Sequence, residues 1–184
     1  MIIHILTIFP TFYDAFLNTS IIKRAIRDKH VSIHVHDLRD YAHNKHKQID
    51  DTPYGGGVGM LMQFPPIYDA VQELKDEDTK VYLLSPQGPI YTQETANSYA
   101  SYKKIILIRG HYEGVDARVE HIIDGEISIG DVVLTNGDIG AMLVVDSIVR
   151  LLPDVIQEAS VKEDSLYDGM IKYPQYTKPE SYAG

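Results

Sequence analysis

The sequence predicts an α/β domain built on a largely parallel sheet, on three observations. Short apolar segments alternate with helical patterns along most of the 184 residues. Three of those segments each end in a glycine-containing turn, as strands do before a crossover. The composition, 44% hydrophobic and 23% charged, is that of a globular chain with a real core.

Taken in order, Ile2 to Ile8 reads as a first strand. Phe12, Phe16, Ile22 and Ile26 space out as the buried stripe of one helix, ending among Lys23, Arg24 and Arg27. Val31, Ile33 and Val35 alternate with Ser32, His34 and His36, the pattern of a strand with one polar face. Arg39 to Gln63 is too polar and glycine-rich for the core, and Pro66 marks the start of a helix through Val71 and Leu74. Val81 to Leu84, Ile105 to Ile108 and Val132 to Leu134 are the three segments that run into turns. Ligands bind at the carboxyl ends of parallel strands, so the three turns are expected to converge on one pocket. Met142, Val145, Ile148, Val149 and Leu152 predict an apolar helix from Ile139 to Leu152, closed by Pro153. Residues 1–153 therefore read as one domain, and 154–184 as a linker leading into a further unit.

Composition excludes several chemistries. With no cysteine there is no disulfide, thiol nucleophile or thiolate metal site. The longest apolar run, Ala141 to Val145, falls far short of the roughly 18 residues of a membrane helix. Met1 to His4 lack a basic leader and Pro10 interrupts the apolar stretch, so the expected location is the cytoplasm. The net charge of −9 disfavours a broad anion-binding surface, but it is uneven: residues 1–50 carry +2 and six of the eight histidines, and the remainder carries −11.

Among candidate motifs, Tyr54 to Met60 holds four glycines in five positions but matches neither phosphate-loop nor dinucleotide spacing. It reads as a backbone that approaches a ligand closely or as a flexible surface loop. His43, His46, Asp50 and Asp51 have metal-ligand chemistry. Beside Lys45, Lys47 and Arg39 they make a better anion-facing patch than a metal site, so no dedicated metal site is expected. His111, Tyr112, Glu113 and Asp116 are acid/base candidates, and Arg150, near the end of an apolar helix, is either paired or aimed at a ligand.

Ser85-Pro86-Gln87-Gly88, Gly110 to Gly114, Asp124 to Asp131, Asp164-Ser165 and Tyr173 to Pro179 closely resemble the bacterial tRNA (guanine-N1)-methyltransferase family. Asp50 to Gly57 looks like its glycine loop, and the motifs follow the family's order over essentially the whole chain. The resemblance implies a SPOUT-type parallel sheet flanked by helices with a deep C-terminal trefoil knot. It also implies a homodimer with the active site at the subunit interface and no membrane association. The implied reaction is S-adenosylmethionine-dependent methylation of N1 of guanosine 37 in tRNA, just 3′ of the anticodon. A divalent cation such as magnesium is implied too, carried by the protein or by the RNA and cofactor. Asp164 matches the proposed general base and Arg150 the arginine that stabilises charge on guanine O6. Cofactor contacts carry over to Leu84, Ser85, Pro86, Gln87, Gly88, Tyr112, Glu113, Gly114, Ile129, Gly130, Leu134 and Gly137. Asp50, Tyr54, Gly55, Gly56 and Gly57 are expected at the substrate, near the RNA or the methionine end of the cofactor, across the dimer interface.

Four positions depart from the family pattern. Asn136, Asp138 and Gly140 stand where it usually has glycine, glutamate and proline, and Val58 where proline is common. The chain stops at Gly184, near where the family's helical tRNA-binding domain becomes established, so most of that domain is expected to be lacking. Two other readings remain: a cofactor-binding but inactive truncated homologue, and a SPOUT methyltransferase acting on another RNA.

Overall fold

The computed structural model describes residues 1–157, 160, 165 and 171–181. Strands β1 (Ile2–Thr7), β2 (Ser32–Asp37), β5 (Thr79–Leu84), β6 (Lys104–Arg109) and β7 (Gly125–Ile127) form one sheet in the order β2-β1-β6-β5-β7, every pair parallel. A two-residue antiparallel ladder joins β3 (Asp50–Asp51) to β4 (Leu61–Met62) within the irregular stretch. The helices are α1 (Asp14–Leu17), α2 (Ser20–Arg27), α3 (Phe64–Leu74), α4 (Gln93–Tyr99) and α5 (Asp138–Val149).

The central strands are apolar on both faces because both are covered. Ile3, Ile5, Ile105, Leu107 and Leu84 pack in one cluster with α5 residues Ala141, Val144, Val145 and Ile148. On the other side Leu6, Ile8, Ile106, Ile108, Val81 and Leu83 pack with Ile67, Ala70 and Val71 of α3. Strand β2 lies at the edge, which is why its Ser32 and His34 are exposed. Helix α3 begins with prolines in its first turn, where a missing N–H costs nothing.

Two expected elements differ, and one helix was not expected. The stretch from Phe12 to Ile26 is not one helix: a 3-10 turn at Pro10–Tyr13, α1 and α2 follow one another, Ser20 has φ 48°, and Tyr13 is buried in place of the exposed Phe12. Val132 to Leu134 is not a strand, because the place beside β5 is taken by β7, whose Gly125, Glu126 and Ile127 pair with Tyr82, Leu83 and Leu84. Val132 and Val133 are exposed as a result. Helix α4, capped by the Thr92 hydroxyl, buries only Ala96 and Tyr99 and so lacks an apolar stripe in the sequence.

After β7 the chain turns back across the carboxyl ends of β5 and β6 before entering α5. Ser128 is tied to the loop after β5, its N–H donating to Pro89 and its carbonyl accepting from Tyr91. Gly137 donates to Gly110 in the loop after β6. This crossing brings three loops to one end of the sheet.

Candidate active site

Those loops enclose a cavity of about 400 Å3 at the carboxyl ends of β5, β6 and β7. Of the twelve residues singled out for the cofactor, eleven line it: Leu84, Ser85, Pro86, Gln87, Tyr112, Glu113, Gly114, Ile129, Gly130, Leu134 and Gly137. Gly88 acts behind the wall. A Cβ there would stand 2.6 Å from the Glu126 carbonyl carbon and 2.7 Å from the Ile127 nitrogen, so only glycine lets the loop lie flat on β7. Gly137 is similarly pressed, its Cβ position lying 3.0 Å from the Gly110 nitrogen.

The wall combines apolar side chains such as Leu84, Ile129 and Leu134 and turn glycines with polar ones, among them Ser85, Gln87, Glu113, Asp116, Glu120 and Glu126. His111 stands among them with its Nδ1 buried and unpartnered among the described residues. Burial, with the Arg109 charge nearby, holds the His111 pKa below its ordinary value, so the ring is neutral near pH 7. A cavity of this size, with glycines where side chains would fill it, fits a nucleoside-sized ligand held by backbone groups.

Beneath the cavity lies a polar cluster that sequence reasoning did not assemble. Asp138, the first residue of α5, accepts hydrogen bonds from Thr7 (2.7 Å) and Tyr13 (2.8 Å) on one carboxylate oxygen. Arg109 Nε donates to Thr7 (3.1 Å) and lies 3.4 Å from the same oxygen, with both charged side chains fully buried. The Arg109 guanidinium also lies over the Phe9 ring, at 5.1 Å. The available signal was Arg109 itself, a cation ending the otherwise apolar run Ile105 to Ile108.

The glycine loop meets this site at its rim. Glu113 N–H donates to Met60 (3.1 Å) and Met62 N–H to Gly114 (3.0 Å), so β4 and the loop after β6 are stitched together. A Cβ on Gly59 would run into the Glu113 side chain. Gly55, Gly56 and Gly57 all have positive φ and project outward with Tyr54, which is fully exposed. Asp50 sits below them in β3, and none of the five substrate candidates lines the cavity.

Arg150 is elsewhere in the described chain. It caps the far end of α5, ten residues beyond cavity-lining Gly140 and roughly 15 Å along the helix axis. Asp164 lies outside the described residues. In the His43 group, His43 pairs with Asp69 at 2.6 Å and Lys47 with Asp40 at 2.7 Å. Arg39 of the expected anion-facing patch donates to the Ile8 carbonyl.

A family described as tRNA (Guanine-1)-methyltransferase TrmD matches residues 1–184, from the first strand through the final tyrosine segment. The chain belongs to this family. A tRNA (guanine-N(1)-)-methyltransferase of Acholeplasma laidlawii is 57% identical over 185 residues, which cover 100% of this chain and 76% of the relative. One from Onion yellows phytoplasma is 56% identical, covering 99% and 76%. The crystal structure of the tRNA (m1G37) methyltransferase from Aquifex aeolicus superimposes with a TM-score of 0.84 at 36% identity, covering 100% of this chain and 78% of that one. The fold is thus the α/β SPOUT type of the tRNA (guanine-N1)-methyltransferases, the type that carries the trefoil knot.

Within that family frame the unusual residues have local reasons. Asn136 accepts from the Asp138 N–H (2.9 Å), so its amide serves the first turn of α5. At Gly140 a Cβ would meet Ile129 at 3.2 Å and Leu84 at 3.5 Å, so a bulkier residue requires the cavity wall to shift. Val58 is exposed in the glycine loop and touches no part of the wall.

Proposed function

We propose that the chain methylates N1 of guanosine 37 in tRNA, the position just 3′ of the anticodon, with S-adenosylmethionine bound in the three-loop cavity. One observation carries the reading: a family match across residues 1–184 coincides with convergence of eleven matched cofactor positions on one cavity. When bound, the cofactor supplies an activated methyl group, so the protein's task is placement and proton transfer. Leu84, Ile129 and Leu134 would offer the cofactor an apolar seat, and the Ser85 to Gln87 and Gly110 to Gly114 turns would offer it backbone hydrogen-bonding groups.

Guanine N1 carries a proton and is a poor nucleophile until it is removed. Asp164 is the base we assign to it, on the family resemblance and the carboxylate's chemistry. Arg150 meets the negative charge that collects on O6 as the proton leaves. The separation of Arg150 from its own chain's cavity supports a homodimer in which Arg150 and Asp164 serve the partner's site. Phe9, Phe12, Ile139 and Leu143, all exposed and gathered around the cavity end of α5, support an apolar subunit interface there. Tyr54 and the glycine loop, with Asp50 at its base, close over the RNA at the rim. A divalent cation such as magnesium, carried by the protein or by the RNA and cofactor, is proposed with the reaction; among the described residues no three His, Asp or Glu side chains form a metal cluster. The crossing of residues 128–137 over β5 and β6 is read as the trefoil knot. No helix among the described residues is long and apolar enough to cross a membrane, and a cytoplasmic location is proposed with the function.

The test is transfer of labelled methyl from S-adenosylmethionine to tRNA bearing guanosine after the anticodon, by the unmodified chain and by Asp164→Asn. Transfer by the first and a loss of two or more orders of magnitude in the second are expected, in line with removal of a general base. Cofactor binding without transfer by the unmodified chain would favour the inactive-homologue reading, and transfer only to other RNA would redirect the substrate.

A further inference from the structure

We infer that the buried Arg109–Asp138 pair is a positioning device for the cofactor loops, with Arg109 setting the distance between the turn after β6 and the start of α5. The inference rests on the cofactor reading of the cavity. Arg109 precedes Gly110 and Asp138 follows Gly137, so the pair bridges the bases of two loops that both line the cavity. Between them, Gly137 donates to Gly110 at 2.9 Å, and its Cβ position lies 3.1 Å from Arg109 Cβ. The spacing is therefore set on one side by a backbone hydrogen bond so close that a Cβ at 137 would crowd its neighbours, and on the other by the ion pair.

Stability alone does not account for this arrangement. A buried ion pair recovers its desolvation cost only when its remaining donors and acceptors are satisfied, and apolar replacements of similar volume are often neutral or better. Here Arg109 Nη2 and Asp138 Oδ2 are buried without partners among the described residues, and Nη1 reaches Gly110 O only at 3.5 Å. The pair keeps an energetic cost at the one place where its two members fix the cofactor cavity. Thr7 and Tyr13 hold the Asp138 carboxylate from β1 and the following turn, leaving the Arg109 side as the adjustable arm.

The experiment compares the unmodified chain with the double variant Arg109→Met, Asp138→Asn, which removes both charges, keeps side-chain volume and leaves an amide oxygen to accept from Thr7 and Tyr13. Thermal unfolding and calorimetric titration with S-adenosylmethionine are measured, with KM for cofactor and for tRNA. The double variant is expected to melt within about 5 °C of the parent. Its cofactor Kd and KM are expected to rise about tenfold or more, as for small misplacements of a binding wall, with tRNA KM changed less than about threefold. Parent-like cofactor affinity in the folded double variant overturns the inference. Equal loss for cofactor and tRNA also overturns it, since that marks a general structural role. Should the double variant fail to fold, Arg109→Lys carries the same comparison: it retains the charge but loses the Nε bond to Thr7, and parent-like cofactor KM in it overturns the inference. Failure of the unmodified chain to bind S-adenosylmethionine instead removes the cofactor reading itself.

Discussion

At the carboxyl end of β1, Thr7 joins a fully buried charge pair, Arg109 and Asp138, drawn from two other elements. Three residues earlier on the same strand, His4 is nearly as buried but carries no charge, its Nδ1 lying 2.9 Å from His36 Nε2 and its ring stacked on His34 at 5.2 Å. Burial lowers the His4 pKa to about 4, helped by His36, His34 and Lys104 and opposed only by Asp76, which is itself paired with Lys104. One end of the strand holds charge in the interior by pairing it, and the other removes the charge by desolvation. The difference follows the site: charge is kept where it fixes the cavity loops and dropped where the strand only packs.

The sharpest way to break this contrast is Asp138→Ala. It leaves the Arg109 guanidinium buried without its anion, and Thr7 and Tyr13 without their acceptor. A loss of about 3–5 kcal/mol in urea unfolding is expected. A loss below about 1 kcal/mol would mean the cluster is not the fixed point it is taken to be.

Next in size is Gly88→Ala, which attacks the cavity from outside the wall. Its Cβ meets backbone of β7 at 2.6 and 2.7 Å, and backbone yields less easily than a side chain. A loss of roughly 2 kcal/mol, typical of overpacking, is expected together with weaker cofactor binding in the same calorimetric titration. Unchanged binding would separate the β5 loop's packing from its function.

The histidine end is tested by pH. The His4 pKa is lowered in the folded state from 6.5 to about 4, so between those values the unfolded chain binds more protons. Its contribution is therefore present above pH 6.5 and is lost as pH falls toward 4. Between pH 7 and pH 5 a decline of about 1–2 kcal/mol is expected from this residue. In His4→Leu the decline should shrink by that amount; the same slope in both proteins would assign it to other groups.

How much of this was visible in the sequence divides along the same line. Apolar runs such as Ile105 to Ile108 announced their strands because both faces of a central parallel strand are covered. The turns after Leu84 and Arg109 were legible as cavity walls for the same topological reason. β7 was hidden because three residues carry no period, and Val132 to Leu134 imitated it without a free place in the sheet. The Thr7, Tyr13, Arg109 and Asp138 cluster was illegible because its members are up to 131 residues apart and meet only once β1, β6 and α5 are assembled. Asp164 and Arg150 came from the family resemblance alone, since neither an acidic residue in a polar segment nor an arginine at a helix end carries a local signature of the proposed role.

The smallest effect is expected at the glycine loop, and it sharpens the boundary of the site. Gly55 and Gly56 have φ of 86° and 92° but open space where a Cβ would stand, unlike Gly88. Alanine there strains the backbone by about 1 kcal/mol, and an exposed loop can relax much of that locally. Gly55→Ala should therefore leave the unfolding midpoint and the cofactor Kd nearly unchanged while raising KM for tRNA a few fold, because only the rim and Tyr54 are displaced. A fall in cofactor affinity as large as that in Gly88→Ala would move the glycine loop from the RNA side of the cavity to the cofactor side.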